Sequence, residues 1–168
     1  LYNSDYSDKV LIGTYYKRTA EQVTYDPWLI GQMSFENGLD LEVGIRHHFY
    51  ELDVYNKTTS KQKLHNKSSD TNAWSLGGTK QIDDKNSLNF KLSKSFRAPK
   101  IDEVLHYGGT ISTVEHQNSK MFELGYKFNF DNIIIKTNAF KSEINNLIYW
   151  NGTVNDNYNP TIHEGYDV

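Results

Sequence analysis

The stretch SLNFKLSKSFRAPKIDEVLHYGG, residues 87–109, begins as a strict alternation of apolar and polar residues and ends as a loop. One face of the extended chain carries Leu88, Phe90 and Leu92, and the other carries Asn89, Lys91, Ser93, Ser95 and Arg97. A period of two is typical of a β-strand between an apolar and a wet environment. Pro99 then ends the strand, because proline cannot donate a hydrogen bond to a sheet.

Segments with the same period recur along the chain, and no stretch forms a convincing amphipathic helix. The pattern predicts strands at residues 9–17, 28–36, 39–50, 73–82, 87–96, 120–130 and 133–150, with the start of an eighth at 161–168. The sequence therefore predicts an all-β, antiparallel fold.

The predicted connections alternate between short and long. Tight turns are indicated at Asn37-Gly38, from Asp83 to Asn86 and at Asp131-Asn132. Long polar connections are predicted at residues 18–27, 51–72, 97–119 and 151–160. This sorting places every tight turn at one end of the sheet and every long loop at the other, as in outer-membrane barrels.

Composition is compatible with a transmembrane β-barrel. The 168 residues are only 37% hydrophobic, yet they include 12 Tyr, 8 Phe and 3 Trp. No run of about 18 apolar residues exists, which excludes a transmembrane helix but not a barrel, whose strands are apolar only at alternate positions. The net charge of −3 gives no sign of nucleic-acid binding, and the absence of cysteine removes disulfides and thiolate metal sites.

The aromatic residues fall into two groups, one at each end of the predicted strands. Phe35, Phe90, Phe128 and Phe130 lie beside the tight turns, and Phe49, Trp74, Phe96, Phe122 and Trp150 lie at the long-loop ends. Two aromatic belts at this spacing are typical of a barrel that crosses a bilayer. Lys80, Lys94 and His47 share the apolar parity, and we interpret them as interfacial residues, with the lysines reaching toward lipid head groups.

The polar parity predicts the side chains that face the barrel interior. This lumen set consists of Glu42, Arg46, Lys91, Glu123 and Lys127. The set contains charges of both signs, and each charge that becomes buried in the interior needs a partner. The pattern alone leaves two alternatives open, a soluble antiparallel β domain used for binding and a passive pore or adhesin-type barrel.

Nothing in the sequence indicates an enzyme. It contains no nucleophile–base–carboxylate arrangement, zinc signature or phosphate-binding loop. We therefore predict no catalytic residues, no protein-held metal and no intrinsic cofactor.

Residues 93–104, SKSFRAPKIDEV, resemble a landmark of TonB-dependent outer-membrane receptors, whose barrels carry Phe-Arg-Ala-Pro at the end of a strand. Three further segments are similar to the family: GIRHHFYELDV at 44–54, the strand from Ser119 to Gly125, and NAFKSEINNLI at 138–148. The residues ISTVEHQ at 111–117 depart from the Asn-Pro-Asn-Leu-x-Pro-Glu expected in the intervening loop.

The resemblance implies a receptor in the bacterial outer membrane that imports an iron complex with energy transmitted through TonB. Family members have a plug domain and a barrel of 22 strands, so residues 1–168 are predicted to be an internal barrel segment of about eight strands, without the plug and the remaining strands. The lack of an opening signal segment and the final YDV, which is not the usual aromatic end of a barrel, agree with this expectation. The implied partners are outer-membrane lipid, the plug domain, the TonB complex and the iron-complex ligand.

Candidate ligand-binding residues lie in the long loops and at the strand exit after residue 96. Arg97 has lumen parity and is a candidate for contact with the plug or an anionic ligand, or for an ion pair within the barrel wall. His106, Tyr107, His116 and His65 are candidate axial ligands for haem. No spacing among them fixes a metal geometry, so we favour a ferric siderophore over haem as the transported complex.

Overall fold

The computed structural model describes residues 2–7, 17–56, 62–105 and 111–168 of the chain, and strands dominate them. The described elements are β1 (Tyr2–Ser7), β2 (Lys17–Tyr25), β3 (Trp28–Phe35), β4 (Leu39–Asn56), β5 (Gln62–Gln81), β6 (Asn86–Arg97), α1 (Ile101–Val104), β7 (Gln117–Phe130), β8 (Ile133–Asn145), β9 (Leu147–Trp150), β10 (Asn155–Tyr158) and β11 (Thr161–Asp167). The prediction of an all-β chain is confirmed.

The main sheet is an antiparallel meander in which sequence neighbours pair with each other. Its strand order is β1-β2-β4-β5-β6-β7-β8-β11, and β3 also pairs with β4. Within the described residues the sheet is open: β1 and β11 end the strand order, and β3 pairs with β4 alone. The up-and-down topology that the alternation predicted is therefore present, as a barrel fragment rather than a closed barrel.

Strands β2 and β3 pair with the same edge of β4, one after the other, as two parts of a single interrupted strand. Tyr25 pairs with Phe49 and Trp28 pairs with Arg46, so the register does not shift across the break between them. The break falls at Pro27, which has no backbone N–H, although its carbonyl still accepts a hydrogen bond from the His47 amide at 2.9 Å. The predicted loop at 18–27 is therefore wrong: these residues continue the strand through a single proline interruption.

Strands β4 and β5 are much longer than predicted, with 18 and 20 residues. They pair from Leu39↔Lys80 to Asn56↔Gln62, with one irregularity between Val54 and Tyr55. The predicted loop at 51–72 is therefore mostly strand. A tilted transmembrane strand needs only about 9–11 residues, so both strands extend well beyond the bilayer at the long-loop end.

The three predicted tight turns are all present at the opposite end. Gly38 has a φ of 77°, and its amide donates to the Phe35 carbonyl at 3.0 Å. Asp83 accepts hydrogen bonds from the amides of Lys85 and Asn86 at 2.8 and 2.9 Å. Asp131 adopts a φ of 46° between β7 and β8. These local signals were sufficient because each turn is stabilised by its own residues.

The predicted strand at 133–150 is divided into β8 and β9 at Asn146, whose φ is 56°. Strand β9 pairs with β10 as a separate two-stranded sheet, so the predicted loop at 151–160 contains a strand. The predicted strand at 9–17 lies outside the described residues except for Lys17.

The two faces of the main sheet differ in chemistry. We call the face that carries Leu41, Val43 and Ile45 the outer face, and the face that carries Glu42 and Arg46 the inner face. Large apolar side chains are exposed along the outer face, among them Met33, Phe35, Val43, Ile45, Phe49, Trp74, Leu88, Leu92, Phe122, Leu124 and Phe130. So many exposed apolar groups on one side are expected of a surface that contacts lipid.

The buried core of the described residues is small and lies against the inner face at the long-loop end. It contains Ala20, Tyr50, Leu52, Val54, Val104, Val114 and Ile148. Val104 and Val114 belong to the connection between β6 and β7, whose described parts, residues 98–105 and 111–116, we call the cap segment. The cap segment therefore folds inward onto β4 instead of extending away from the sheet.

Candidate functional site

The register places all five residues of the lumen set on the inner face. Lys91 pairs with Glu123, and Ser87 pairs with Lys127. Glu42, Arg46 and Lys91 line a cavity of about 770 Å³ on this face. Glu42, Lys91 and Glu123 also line a neighbouring cavity of about 570 Å³ toward the tight turns, whereas Lys127 lines neither.

The larger cavity combines charged and aromatic groups. Arg46 forms an ion pair with Asp26, with Nη2 at 2.8 Å from Oδ1. Glu42 accepts a hydrogen bond from Gln32 at 2.8 Å, and Lys91 is exposed beside it. Trp28 also lines this cavity with 69% of its surface exposed. Such a wall can contact a charged and aromatic ligand, or another protein segment of mixed charge.

Arg97 forms an ion pair with the cap segment. Its Nη1 donates to both carboxylate oxygens of Glu103 at 2.8 Å each. Glu103 also accepts a hydrogen bond from the Lys100 amide at 2.8 Å, which fixes the first turn of α1. The ion pair between Arg97 and Glu103 therefore fixes α1 relative to the end of β6.

His116 lies in the core rather than on the loop surface, with 5% of its surface exposed. Its Nδ1 is 3.1 Å from the Ser69 hydroxyl, and its ring packs near His48 and Tyr50. Burial lowers the pKa of the His116 imidazole, and the neighbouring His48 lowers it further, so the neutral form is favoured.

Phe96 is placed differently from the sequence prediction, which assigned it to the outer aromatic belt. Its ring lies 4.8 Å from the His48 ring, and the Arg46 guanidinium lies 5.2 Å above it. Pairing between β5 and β6 ends at Trp74↔Lys94, two residues before Phe96. The end of β6 therefore bends over the inner face, and Phe96 follows it inward.

The remaining histidine candidates are dispersed. His65 lies near the long-loop end of β5, opposite Val54, and its Nε2 is buried without a hydrogen-bond partner within the described ranges. His106 and Tyr107 lie outside the described residues. The structure does not bring His65 and His116 into ring contact in the parts of the chain that it describes.

Sequence reasoning missed the residues that surround His116. His48 Nδ1 lies 2.6 Å from Asp26 Oδ1, and Tyr50 packs beside both histidines. A signal was present, because His48, Tyr50, Leu52 and Val54 all have the inner parity, and the polar residues Glu51 and Asp53 separate the last three. Among the described residues, no group of three or more His, Cys, Asp or Glu side chains could hold a metal ion.

A small aromatic hairpin stands beside the cap segment at the same end. Tyr149 and Tyr158 pack edge to face with ring centroids 5.4 Å apart, and Trp150 is 55% exposed. Asn157 connects this hairpin to the cap segment, since its side chain accepts a hydrogen bond from the Glu115 amide at 2.7 Å.

An antiparallel meander with an apolar outer face, a charged inner wall and sorted turns defines a transmembrane β-barrel protein. Residues 1–167 match the family model described as TonB dependent receptor-like, beta-barrel, and the chain belongs to this family. It is therefore a protein of the bacterial outer membrane. None of the helices in the described ranges is long and apolar enough to cross a membrane. No curated protein sequence matches the chain.

Two solved structures are similar to this fold. The ferric-catecholate import receptor Fiu from Escherichia coli K12 superposes with a TM-score of 0.67 at 13% identity, over 98% of this chain and 30% of Fiu. The siderophore receptor PirA from Pseudomonas aeruginosa superposes with a TM-score of 0.58 at 14% identity, over 90% of this chain and 37% of PirA. The chain thus spans about a third of the length of these receptors.

Proposed function

We propose that this chain forms part of a receptor that imports a ferric siderophore across the outer membrane by a TonB-dependent mechanism. The observation that carries the proposal is the family match over residues 1–167, together with two siderophore receptors among the structures that share the fold. A passive pore or a soluble binding module does not account for the family match.

The proposal includes the segments that the fold requires. In the part of the chain that the structure describes, the sheet has free edges at β1 and β3 on one side and at β11 on the other, and a bilayer does not tolerate unpaired backbone groups. We infer that further strands of the receptor pair with these edges, that a plug domain fills the inner face, and that TonB supplies the energy for transport. Residues 1–168 are then an internal part of the barrel.

The inner wall supports an anionic iron complex as the ligand. Lys91 and Arg46 line the same cavity as the exposed Trp28 ring, and cations beside an aromatic ring suit a negatively charged complex that carries aromatic groups, such as a ferric catecholate. Haem is the second candidate because the chain carries loop histidines. An axial ligand must reach the haem iron, however, and only 5% of the surface of His116 is exposed. This burial favours the siderophore over haem.

An uptake experiment tests the transport proposal. The full receptor is expressed in cells that lack their own siderophore receptors, and accumulation of iron-55 from a ferric catecholate complex is measured with and without TonB. We expect accumulation only with TonB, and a reduced uptake in Lys91→Ala. Lys120→Ala, which removes a lysine from the outer face, is the matched control and should transport normally. Uptake that does not depend on TonB would contradict the proposal.

A haemin titration separates the two ligands. Absorbance of the purified receptor is followed in the Soret region for the parent and for His106→Ala and His116→Ala. We expect no saturable Soret change in the parent. A saturable change that is lost in His106→Ala would replace the siderophore with haem as the ligand.

A further inference from the structure

Three buried polar atoms belong to side chains whose rings pack near one another between β4 and the cap segment. They are His48 Nε2, His116 Nε2 and the Tyr50 hydroxyl, and none has a hydrogen-bond partner among the described residues. The side chains that carry them are almost fully buried, with exposures of 5%, 5% and 2%. Buried polar groups are normally satisfied, so three such atoms in one cluster call for a bound species.

The opposite nitrogen of each imidazole is already engaged. His48 Nδ1 lies 2.6 Å from Asp26 Oδ1, and Asp26 is itself fixed by Arg46 at 2.8 Å. His116 Nδ1 lies 3.1 Å from the Ser69 hydroxyl. A carboxylate that accepts a hydrogen bond from Nδ1 keeps the proton on that nitrogen and leaves a lone pair on Nε2. Histidines that bind a metal usually have such a hydrogen-bond partner on the nitrogen that does not bind the ion.

The distance between the two rings is compatible with a shared ion. Because metal–imidazole bonds are about 2.0–2.1 Å long, a ligating ring has its centroid about 3.2 Å from the ion. Two such rings are then about 5.2 Å apart at a tetrahedral angle and about 6.4 Å apart at a linear one. The His48 and His116 centroids are 5.8 Å apart, between these limits, and the Tyr50 ring lies 5.7 Å from His116.

We propose that His48 and His116 bind a divalent transition-metal ion of the Zn²⁺ class through their Nε2 atoms, with the Tyr50 hydroxyl beside the ion. Neutral imidazoles suit Zn²⁺, Ni²⁺ and Cu²⁺ better than Mg²⁺ or Ca²⁺, which prefer oxygen ligands. With two protein nitrogens, water completes the coordination shell.

The ion would connect two parts of the chain that are distant in sequence. His48 belongs to the wall strand β4, and His116 ends the cap segment that precedes β7. A metal bond between them anchors the cap segment on the inner face, in addition to the ion pair between Arg97 and Glu103. This role is structural and does not depend on which complex the receptor transports.

Metal content of the purified full receptor tests the site. The protein is stripped with a chelator, exposed to Zn²⁺, desalted and analysed for bound zinc, with parallel samples of His116→Ala, His48→Gln and His47→Ala. His47→Ala is the matched control because His47 adjoins His48 but lies on the outer face. We expect one zinc per chain in the parent and in His47→Ala, and its loss in the other two variants.

A second variant separates metal binding from folding. Asp26→Asn keeps both imidazoles but weakens the contact that orients His48, so zinc affinity should fall about 10–100-fold while the receptor remains folded. With Cu²⁺ as the probe, nitrogen splitting in the electron paramagnetic resonance spectrum should report two imidazoles in the parent and one in His116→Ala. Stoichiometric zinc that persists in His116→Ala, or a parent that retains no zinc, would overturn the proposal and leave a buried water as the occupant.

Discussion

Arg97 illustrates how far a single residue can be interpreted from sequence. Its position after a strand and before Pro99 predicted an inward side chain at a strand exit, and left a ligand contact and an ion pair as alternatives. The structure supplies Glu103 as an intrachain partner at 2.8 Å. The partner lies six residues away in a short helix, and no strand periodicity could have predicted that contact.

Replacement of Arg97 should therefore loosen the cap segment. Charge-assisted hydrogen bonds contribute about 1.5–3 kcal/mol, but the Arg97 side chain is 36% exposed, so solvent screening reduces the effect to about 1 kcal/mol. In Arg97→Ala we expect native-state proteolysis within residues 98–105 to become about fivefold faster. Lys91→Ala, another inner-face cation without a cap-segment contact in the described structure, is the control. Equal cleavage rates in both variants would contradict the assigned role.

Gly38 makes a second residue-scale prediction. Its φ of 77° is a conformation that costs an L side chain about 1–2 kcal/mol, so Gly38→Ala should lower the free energy of unfolding by about 1 kcal/mol. Gly31→Ala is the matched control, because a Cβ at Gly31 would meet nothing within 4 Å. Urea unfolding of the receptor in lipid bilayers measures both. A Gly31 variant that loses as much stability as the Gly38 variant would contradict the strain argument.

At the scale of strands, the sequence predicted sidedness better than length. The alternation assigned β3, β4, β6 and β7 to the correct faces. It underestimated β4 because the apolar side changes at Tyr50, and it underestimated β5 because residues 63–72 are almost entirely polar on both faces. Before Tyr50 along β4, the apolar residues lie on the outer face. After Tyr50, the inner face carries Leu52 and Val54, which the cap segment buries. Where a strand leaves the lipid and packs against a loop that folds inward, its apolar residues change from the outer face to the inner face. In the sequence this change interrupts the alternation of apolar and polar residues, so it resembles the end of a strand.

The two faces of β7 give a direct test of the lipid assignment. Leu124 is 47% exposed on the outer face, and its neighbour Glu123 lies on the inner face. An arginine on the lipid side near mid-bilayer costs about 2–4 kcal/mol, so Leu124→Arg should destabilise the folded receptor by that amount. Glu123→Arg places the same side chain on the wet face and should cost at most about 1 kcal/mol. Unfolding free energies in bilayers decide between them, and the reverse order would invert the sidedness.

The extramembrane ends of β4 and β5 make the stability of this hairpin depend on pH. Hydrogen bonds from Asn66 and Lys63, both at 2.7 Å, lower the pKa of the Asp53 carboxyl below its usual value of 3.8. The stabilisation is therefore fully present above about pH 4 and is lost as pH falls through the lowered pKa.

Hydrogen exchange at residues 51–55, corrected for the intrinsic effect of pH, measures this dependence. We expect protection in the parent to fall below about pH 4, whereas Asp53→Asn, which cannot ionise, should be less protected at neutral pH and show little further change. A parent whose protection is the same at pH 6 and pH 3 would show that Asp53 contributes nothing to the hairpin.

At the scale of the whole molecule, properties repeated along the chain were predictable and properties set by one long-range contact were not. Sorted turns, alternate faces and the family landmarks recur over many strands, so the antiparallel barrel and its membrane location could be inferred. The inward fold of the cap segment rests on contacts such as Lys67 Nζ with the Val114 carbonyl, 47 residues away. The inward fold of the cap segment also buries His116 and accompanies the inward position of Phe96. Both residues therefore differ from the prediction, which placed His116 in a long loop and Phe96 in the outer aromatic belt.

The open sheet leads to the last prediction, which concerns the chain on its own. Among the residues that the structure describes, β1 and β11 each pair on one side only, and their free backbone groups would face hydrocarbon in a bilayer. Refolded alone into lipid vesicles, residues 1–168 should therefore not give the compact, heat-modifiable band that a folded barrel gives on gel electrophoresis, whereas the full receptor should. Eight strands are geometrically sufficient for a small barrel, so closure of β1 onto β11 is the competing outcome. Spin labels at Asn3 and Ile162 distinguish the two, because closure would bring these edge strands to the spacing of paired strands, about 5 Å. A short, narrow distance between the labels in vesicles would mean that the segment is a barrel in its own right, and the need for further strands would disappear.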